Sequence, residues 1–558
     1  MTKLFQDPAE FSEDQLDGFV DLYSDRLSRV TGGVVTHPPK EPQVAVVVGG
    51  GSGHYPAFAG LVGPGFASGA VVGNIFTSPS AAHVYSVAKA AHQGKGVILT
   101  FGNYAGDNMN FGIAAKRLNA EGIDTRIVVV TDDVASASTP EDRRGIAGDF
   151  TVFKAMSAAA AAGKSLDEVE RIGRHANDMT RTMGVAFSGC TMPGATDPLF
   201  DVPKGKMGVG LGIHGEPGIK DESLGDAEAI AELLVQHVLD AAPSNAPSSR
   251  VAVILNGLGA TKYEELFLTY GKVAAKLRAA GLTIVEPEVG ELVTSLDMGG
   301  ISLTLMWLDK ELEEAWHADA YACGYRKSHA PLESLDSTAV ITTTSETVEK
   351  LTKPEGDAVF IAEQVRRGIR IITQLMKDQE SHLGKIDAIA GDGDHGRGMV
   401  RGTSAAEAAV EKLSIKAGFT PSAADQLRTA GAAWALEAGG TSGVLWGAGL
   451  EAAADAGTVL DGVEAFTCTV QQLGGAQVGD KTILDALIPF RDALNGGSSW
   501  RDAADAAVQA AEATADLVPR KGRAAPLAEK SVRHPDAGAT SFSMIAQRLV
   551  EEFTQEED

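Results

Sequence analysis

Residues 44–54 read VAVVVGGGSGH: five small or β-branched apolar residues run into three glycines, a serine, a fourth glycine and a histidine. An apolar run this short suits a strand buried on both faces, and the glycines suit a chain that turns sharply at its end. The same pattern returns in GVILTFGNYAGD (96–107), IVVVTDD (127–133) and VAVILNGLG (251–259). Between these runs lie segments of helical period, such as SAAHVYSVAKAAHQ (80–93) and YEELFLTYGKVAAKLRAAG (263–281). Strands alternating with helices place residues 1–335 in the α/β class, and two α/β subdomains are expected, dividing near residues 185–250.

The texture changes at residue 335. Residues 335–358, LDSTAVITTTSETVEKLTKPEGDA, are rich in Thr, Ser and charge and carry a proline, which predicts a linker over 336–356. Beyond it the chain is alanine-rich with helical period, as in SAADQLRTAGAAWALEAGG (422–440) and WRDAADAAVQAAEATADL (500–517), so an all-α domain is predicted over 357–558.

Bulk properties narrow the function. A chain of 558 residues exceeds what one core organises. With 44% hydrophobic and 22% charged residues and no apolar run of membrane-spanning length, it reads as a soluble globular protein. The opening MTKLFQDPAEF lacks a charged segment followed by an apolar one, so a cytoplasmic location is expected. Cys190, Cys323 and Cys468 are far apart and odd in number, which fits reduced thiols and excludes a CxxC metal site. A net charge of −26 disfavours nucleic acid and anionic membrane as partners, because both require a basic surface. Phosphate can then be held only by backbone amides, a local Arg or Lys, or a metal.

One nucleotide signal fails on inspection. AAAAAGKSLDE (158–168) ends like a P-loop, but Ala158 stands where the first glycine belongs. The segment predicts a helix ending at Gly163 and another capped by Ser165 with Glu168 three residues on. A different stretch, IDAIAGDGDHGRGM (386–399), gathers Asp387, Asp392 and Asp394 among glycines at 391, 393 and 396. Three carboxylates brought together repel unless a hard cation joins them, and magnesium completes its shell with water and phosphates. EF-hand calcium is disfavoured because the twelfth position from Asp392 is Thr403. A solvated Asp/Gly turn has the same composition, but LEAGGTSGVLWGAGL (436–450) can present amides and the hydroxyls of Thr441 and Ser442 to phosphate at a helix start. VGDKTILDAL (478–487) and GRAAPLAEKSVRHPDAGATS (522–541) add polar loops, the latter with Arg523 and Asp536.

The ordered set IDAIAGDGDHGRGM, GGTSG, GDKTILDAL, GRA and HPDAGATS resembles the helical nucleotide-binding domain of the dihydroxyacetone kinase family. In the N-terminal half, VVVGGGSGHYPAFAG, GNIFTSPS, NYAGDNMNF, GLGIHGEPG and SLDMGGISLTLMWLD resemble the same family's substrate domain. The resemblance covers nearly the whole chain. Fusion of both domains implies an ATP-dependent kinase acting on a small ketose. It implies that His214 forms a covalent hemiaminal with the ketone, that Asp107 is the general base, and that His54 assists. Gly51, Ser52 and Ser78 are implied to shape the substrate pocket. In the helical domain, a helical barrel, it assigns Asp387, Asp392 and Asp394 to two magnesium ions on the ATP phosphates. His395, Gly396, Arg397, Gly398, Thr441, Ser442, Gly474, Ile483, Arg523 and Asp536 are implied to bind nucleotide. A homodimer is implied by relatives, with the two sites meeting within a chain or between domain-crossed chains.

The departures bear on substrate. This chain reads GNYAGD where family members acting on dihydroxyacetone commonly read KNYTGD, so Gly102 replaces a lysine and Ala105 a threonine. Tyr55 replaces a glutamate, and Lys530 stands where an arginine is common. Loss of the lysine is expected to open volume for a larger ketose, so erythrulose joins dihydroxyacetone as a candidate. Two other readings stay open: an FMN-cyclase-type lyase acting on FAD-like ribonucleotides, and a non-catalytic ketose-sensing regulator.

Overall fold

Strands that are apolar on every residue need cover on both faces, and the structure supplies it. The computed structural model describes residues 4–330, 351–390, 393–438, 440–521 and 531–554. The chain divides into two units, Met1–Val340 and Ile341–Asp558. In the first unit, β1 (Leu27–Val30), β2 (Gly33–Thr36), β3 (Ala45–Ser52), β4 (Gly69–Ile75), β5 (Val97–Gly102) and β6 (Thr125–Val130) form one sheet in the order β1-β2-β4-β3-β5-β6. Strands β3 to β6 run parallel, and the β1–β2 hairpin closes one edge. Alternation along β3 and β5 divides the side chains between two cores. Val46, Val48 and Ile98 enter the main core, while Ala45, Val47, Val97 and Leu99 pack with Val84, Val87, Phe111 and Leu118 of the crossover helices Ala81–Ala91 and Ala105–Ala120.

The second sheet comprises β7 (Thr180–Ala186), β8 (Lys206–Val209), β9 (Lys220–Ser223), β10 (Arg250–Gly257), β11 (Thr283–Gly290) and β12 (Gly300–Trp307), ordered β11-β10-β12-β7-β8-β9. Only β10 and β11 pair in parallel; the other pairs are antiparallel. Both β7 and β12 are buried along their full length, with the helix Ala227–Asp240 packed on them, so continuous apolar runs report burial and not strand direction. The subdomain boundary falls between β6 and β7, earlier than the expected 185–250. The Gly- and Pro-rich texture there belongs to loops and to the β8–β9 edge hairpin, an excursion within the second sheet.

The helix Gly148–Ala161 packs against both β3 and β7 and is buried from Gly148 through Ala160. Its Lys154 is buried, donating to the carbonyls of Ala315 at 3.1 Å and Ala318 at 2.7 Å at the end of the helix Lys310–His317. Those oxygens are orphan acceptors of a helix terminus, which explains a cation in an apolar interior. Ser165 caps the helix Leu166–Asp178 in a full capping box with Glu168, so the GKS sequence is a helix junction.

The second unit is all-helical among its described residues: Asp357–Ala390, His395–Ala417, Ala423–Ala438, Gly440–Ala454, Val459–Gly474, Leu484–Asn495, Trp500–Ala513 and Ala537–Thr554. Each packs on the next and the last packs on the first, closing a ring. Most of the expected linker lies outside the described residues. Among the described residues no helix is long and apolar enough to cross a membrane. Inside the ring Trp434 stacks on Trp446, ring centres 4.9 Å apart and planes 1° from parallel, with Phe466 edge-on at 5.4 Å. Trp434→Ala is expected to cost about 3–5 kcal/mol of unfolding free energy by denaturant titration. A loss below about 1 kcal/mol contradicts a central place for this stack.

Candidate active site

Ligands bind at the carboxyl ends of parallel strands, where loops leave the sheet. The end of β3 brings Gly51 and the loop after it His54, the loop after β4 brings Ser78, and the segment after β5 brings Tyr104 and Asp107, to one cavity of about 460 Å3. The loop after β8 adds His214 and Glu216.

The histidines are fixed by what their outer nitrogens touch. His54 is buried, and its Nδ1 donates to the Thr294 carbonyl at 2.7 Å. His214 Nδ1 donates to Glu216 Oε1 at 2.9 Å, and the His214 backbone N–H donates to Oε2 at 3.0 Å. Carbonyls and carboxylates only accept, so both Nδ1 atoms carry hydrogen. The two Nε2 atoms then face each other at 3.1 Å. Burial, with His214 adding to it, pushes the His54 pKa down to about 3, so His54 is neutral with a bare Nε2. Burial acts to raise Glu216, but the His214 hydrogen bond and charge outweigh it and bring the carboxyl to about 2. Phe76 and Tyr104 stand edge-on to His214, centres 5.0 and 4.9 Å away, and Ser295 Oγ donates to the Ile213 carbonyl just before it.

Asp107 lies in the first turn of Ala105–Ala120 and accepts from Ser78 Oγ at 2.7 Å, while Asn110 Nδ2 donates to the same hydroxyl at 3.2 Å. Burial raises its pKa above the ordinary aspartate value. A carboxylate so raised is a better acceptor for a substrate proton.

A second cavity, of about 250 Å3, lies within the helical unit. Asp387, Asp394, His395, Gly398, Thr441, Ser442, Ile483 and Asp536 line it. Gly393 takes a left-handed φ of +75°, which turns the chain into the helix that starts at His395. The His395 N–H points to Asp387 Oδ2 at 3.3 Å, and its Nε2 meets Ser541 Oγ at 3.0 Å. Asp536 Oδ1 accepts the Ala539 N–H at 2.7 Å, and burial lifts its pKa to about 6. Thr441 and Ser442 lie in the first turn of the helix Gly440–Ala454, and the first amides of an α-helix have no acceptor within the helix itself. The carboxylates of Asp387 and Asp394 with these hydroxyls make a hard-oxygen donor set, which fits magnesium.

The Dak1 domain pattern matches residues 17–324, and the DAK2 domain pattern matches residues 389–551. A D-erythrulose kinase of Mycolicibacterium smegmatis is 54% identical over 577 residues, covering 99% of this chain and 98% of that protein. The chain belongs to the dihydroxyacetone kinase family. An L-erythrulose 1-kinase of the same organism is 50% identical over 579 residues, covering 100% of both. The dihydroxyacetone kinase from C. freundii in complex with AMP-PNP and Mg2+ matches with a TM-score of 0.61 at 28% identity, covering 99% of each chain. Its place in the dihydroxyacetone kinase family makes the chain an ATP-dependent sugar kinase.

Several residues implied by the family resemblance lie off the cavities. Ser52 Oγ is turned to Ser12 Oγ at 2.7 Å, because alternation at the end of β3 points it away from Gly51's side. In the helix His395–Ala417, His395 and Gly398 share a face, which leaves Arg397 exposed and turns Gly396 into the contact with the neighbouring helix; a Cβ there would lie 2.1 Å from the Glu380 carbonyl oxygen. Gly474 ends its helix away from the cavity lining. Asp392, Arg523 and Lys530 lie outside the described residues. Tyr55 is 51% exposed and does not line the first cavity. Gly102 lines the first cavity, where a Cβ would stand 3.0 Å from the Gly145 oxygen and 3.1 Å from the Tyr104 ring.

Sequence reasoning missed Glu216, although it stands two residues from His214 in GIHGEPG. Glu216→Gln keeps an oxygen that can accept from Nδ1 but removes the negative charge that orients and balances the His214 ring, and kinase turnover is expected to fall about 10²-fold or more with little change in Tm. An unchanged kcat contradicts the orienting role.

Proposed function

We propose that this kinase captures a short-chain ketose on His214 and transfers the γ-phosphoryl group of ATP to a terminal hydroxyl, with a tetrulose such as erythrulose preferred over dihydroxyacetone. The observation that carries the reading is the His214–Glu216 pair facing Asp107 across one cavity. His214 Nε2 attacks the carbonyl carbon, the π pair moves to oxygen, and that oxygen takes a proton from solvent, with the bare His54 Nε2 placed to relay it. The ring, substituted on Nε2 and protonated on Nδ1, is a cation balanced by Glu216. A polyol without a carbonyl has no such anchor.

The terminal hydroxyl oxygen then attacks the γ-phosphorus. Its proton passes to Asp107, and the bond to the bridging oxygen breaks with its electron pair kept by ADP. Asp387, Asp392 and Asp394 are assigned to magnesium, with two ions expected; bound metal neutralises the phosphate charge and orients the γ-phosphoryl group. Amides at Thr441 and Ser442 hold phosphate, and Leu445 and Trp446 offer an apolar wall to the base. Substrate capture and nucleotide binding belong to different units, and we assign the kinase to a homodimer. The names of the erythrulose kinases similar to this chain support the tetrulose assignment.

Coupled ADP release with ATP and magnesium is expected for erythrulose and dihydroxyacetone, with a higher kcat/KM for one erythrulose enantiomer, and none is expected for glycerol. ADP release without ketose, or equal turnover of glycerol, contradicts the reading. His214→Ala and Asp387→Ala are each expected to lower kcat/KM by about 10²-fold or more.

A further inference from the structure

The polar groups around the first cavity are nearly all paired. His54, His214, Glu216, Asp107 and Ser78 have the partners described above. Two atoms do not: Asp149 Oδ1 and the Tyr104 hydroxyl are buried and without a hydrogen-bond partner, and both residues line this cavity. Buried polar atoms nearly always find partners in folded proteins, so two orphans on one cavity point to a partner that arrives with the ligand.

The local structure explains the orphaned carboxyl. Asp149 is 4% exposed, in the first turn of the helix Gly148–Ala161, where backbone amides would ordinarily serve it. Two amides beside the helix start go instead to Asp132, whose Oδ1 accepts from the Ile146 N–H at 2.8 Å and whose Oδ2 accepts from the Gly148 N–H at 2.7 Å. Burial first, then the charges of Asp132 and Asp107, hold the Asp149 pKa well above the carboxylate range. A carboxyl so raised holds a proton more readily, and with it can donate through its O–H and accept through its C=O. Tyr104 is neutral, raised by burial and then by the Glu216 charge.

We propose that Asp149 and Tyr104 form a hydroxyl-recognition wall that binds the hydroxyl a tetrulose carries and dihydroxyacetone lacks. The assignment rests on the ketose-kinase reading above and names its specificity residues. Tyr104 stands edge-on to the capturing ring at 4.9 Å, and Asp149 lies within electrostatic reach of Asp107. A ketose fixed by its carbonyl at His214 and by one terminal hydroxyl at Asp107 has its other hydroxyls left for this wall. Dihydroxyacetone brings one; a tetrulose brings two. Gly102 and Gly145 flank the same space and offer no side-chain donor. A cavity that hydrogen-bonds a hydroxyl rejects the analogue without it far more strongly than an apolar cavity rejects a missing methylene.

The test is kcat/KM for dihydroxyacetone and both erythrulose enantiomers, measured on the full chain as wild type, Tyr104→Phe, Asp149→Leu and Asp149→Asn. The readout is the ratio of preferred erythrulose to dihydroxyacetone. It is expected to fall about tenfold or more in Tyr104→Phe and Asp149→Leu, and to stay within about threefold in Asp149→Asn, which keeps a donor and an acceptor. Tm is expected to hold or rise in Asp149→Leu, because an unpaired buried acid is removed. A ratio unmoved in folded Tyr104→Phe overturns the wall and leaves these atoms to cavity water. An Asp149→Asn variant as impaired as Asp149→Leu overturns the neutral-acid role. Wild type inactive on every ketose would instead refute the kinase reading itself, a result distinct from both.

Discussion

Two imidazole rings meeting through Nε2 set the geometry of the first cavity. Each ring has only one orientation open to it, because Thr294 takes the Nδ1 proton of His54 and Glu216 takes that of His214. The inner nitrogens are left to face the cavity and each other. Burial keeps His54 neutral, and Glu216 stays ionised because its partner ring outweighs its desolvation. The pair thus sets the bare His54 nitrogen beside Nε2 of His214 and a fixed negative charge behind that ring, which balances the cation that attack on a carbonyl leaves. Much of the first unit serves this contact: the ends of β3, β4 and β5 bring His54, Ser78 and Asp107, and the second sheet brings His214 on the loop after β8.

The two units handle opposite electrostatic problems. The first holds an uncharged sugar, and its acids are paired, raised by burial or both. The second must hold a polyanion on a chain of net charge −26. Among the described residues lining its cavity the basic side chains are Lys481, which is turned to the carbonyls of Ser531 and Leu517 at 2.7 and 3.2 Å, and Lys521. Helix-start amides, hydroxyls and carboxylates suited to magnesium remain, a set that binds phosphate through the metal and the backbone.

Much of this was legible in the sequence, for identifiable reasons. Apolar runs ending in glycine marked β3 and β5, because strands covered on both faces have no polar side to show. Motif order placed His54, Asp107 and His214 together, and placed Asp387, Asp394, Thr441, Ser442 and Asp536 around the other cavity. Strand direction in the second sheet was not legible, since burial and not polarity of pairing determines the apolar content of β7 and β12. Ser52 looked equivalent to Gly51, and only the alternation at the strand end separates them. Helical spacing similarly separates His395 and Gly398 from Gly396 and Arg397. Asp149 carried no signal: that its Oδ1 stays unpaired while Asp132, seventeen residues earlier, takes the Ile146 and Gly148 amides is a tertiary fact.

The central claim is that His214 holds the ketone as a covalent adduct before any phosphoryl transfer. The most direct measurement is a carbon NMR spectrum of erythrulose isotopically labelled at its carbonyl carbon, mixed with the full chain in the absence of ATP. The account predicts that the bound ketone resonance gives way to that of a saturated carbon, and that the conversion is lost in His214→Ala. A bound substrate that keeps its carbonyl resonance while the same preparation, given ATP and magnesium, releases ADP would contradict it.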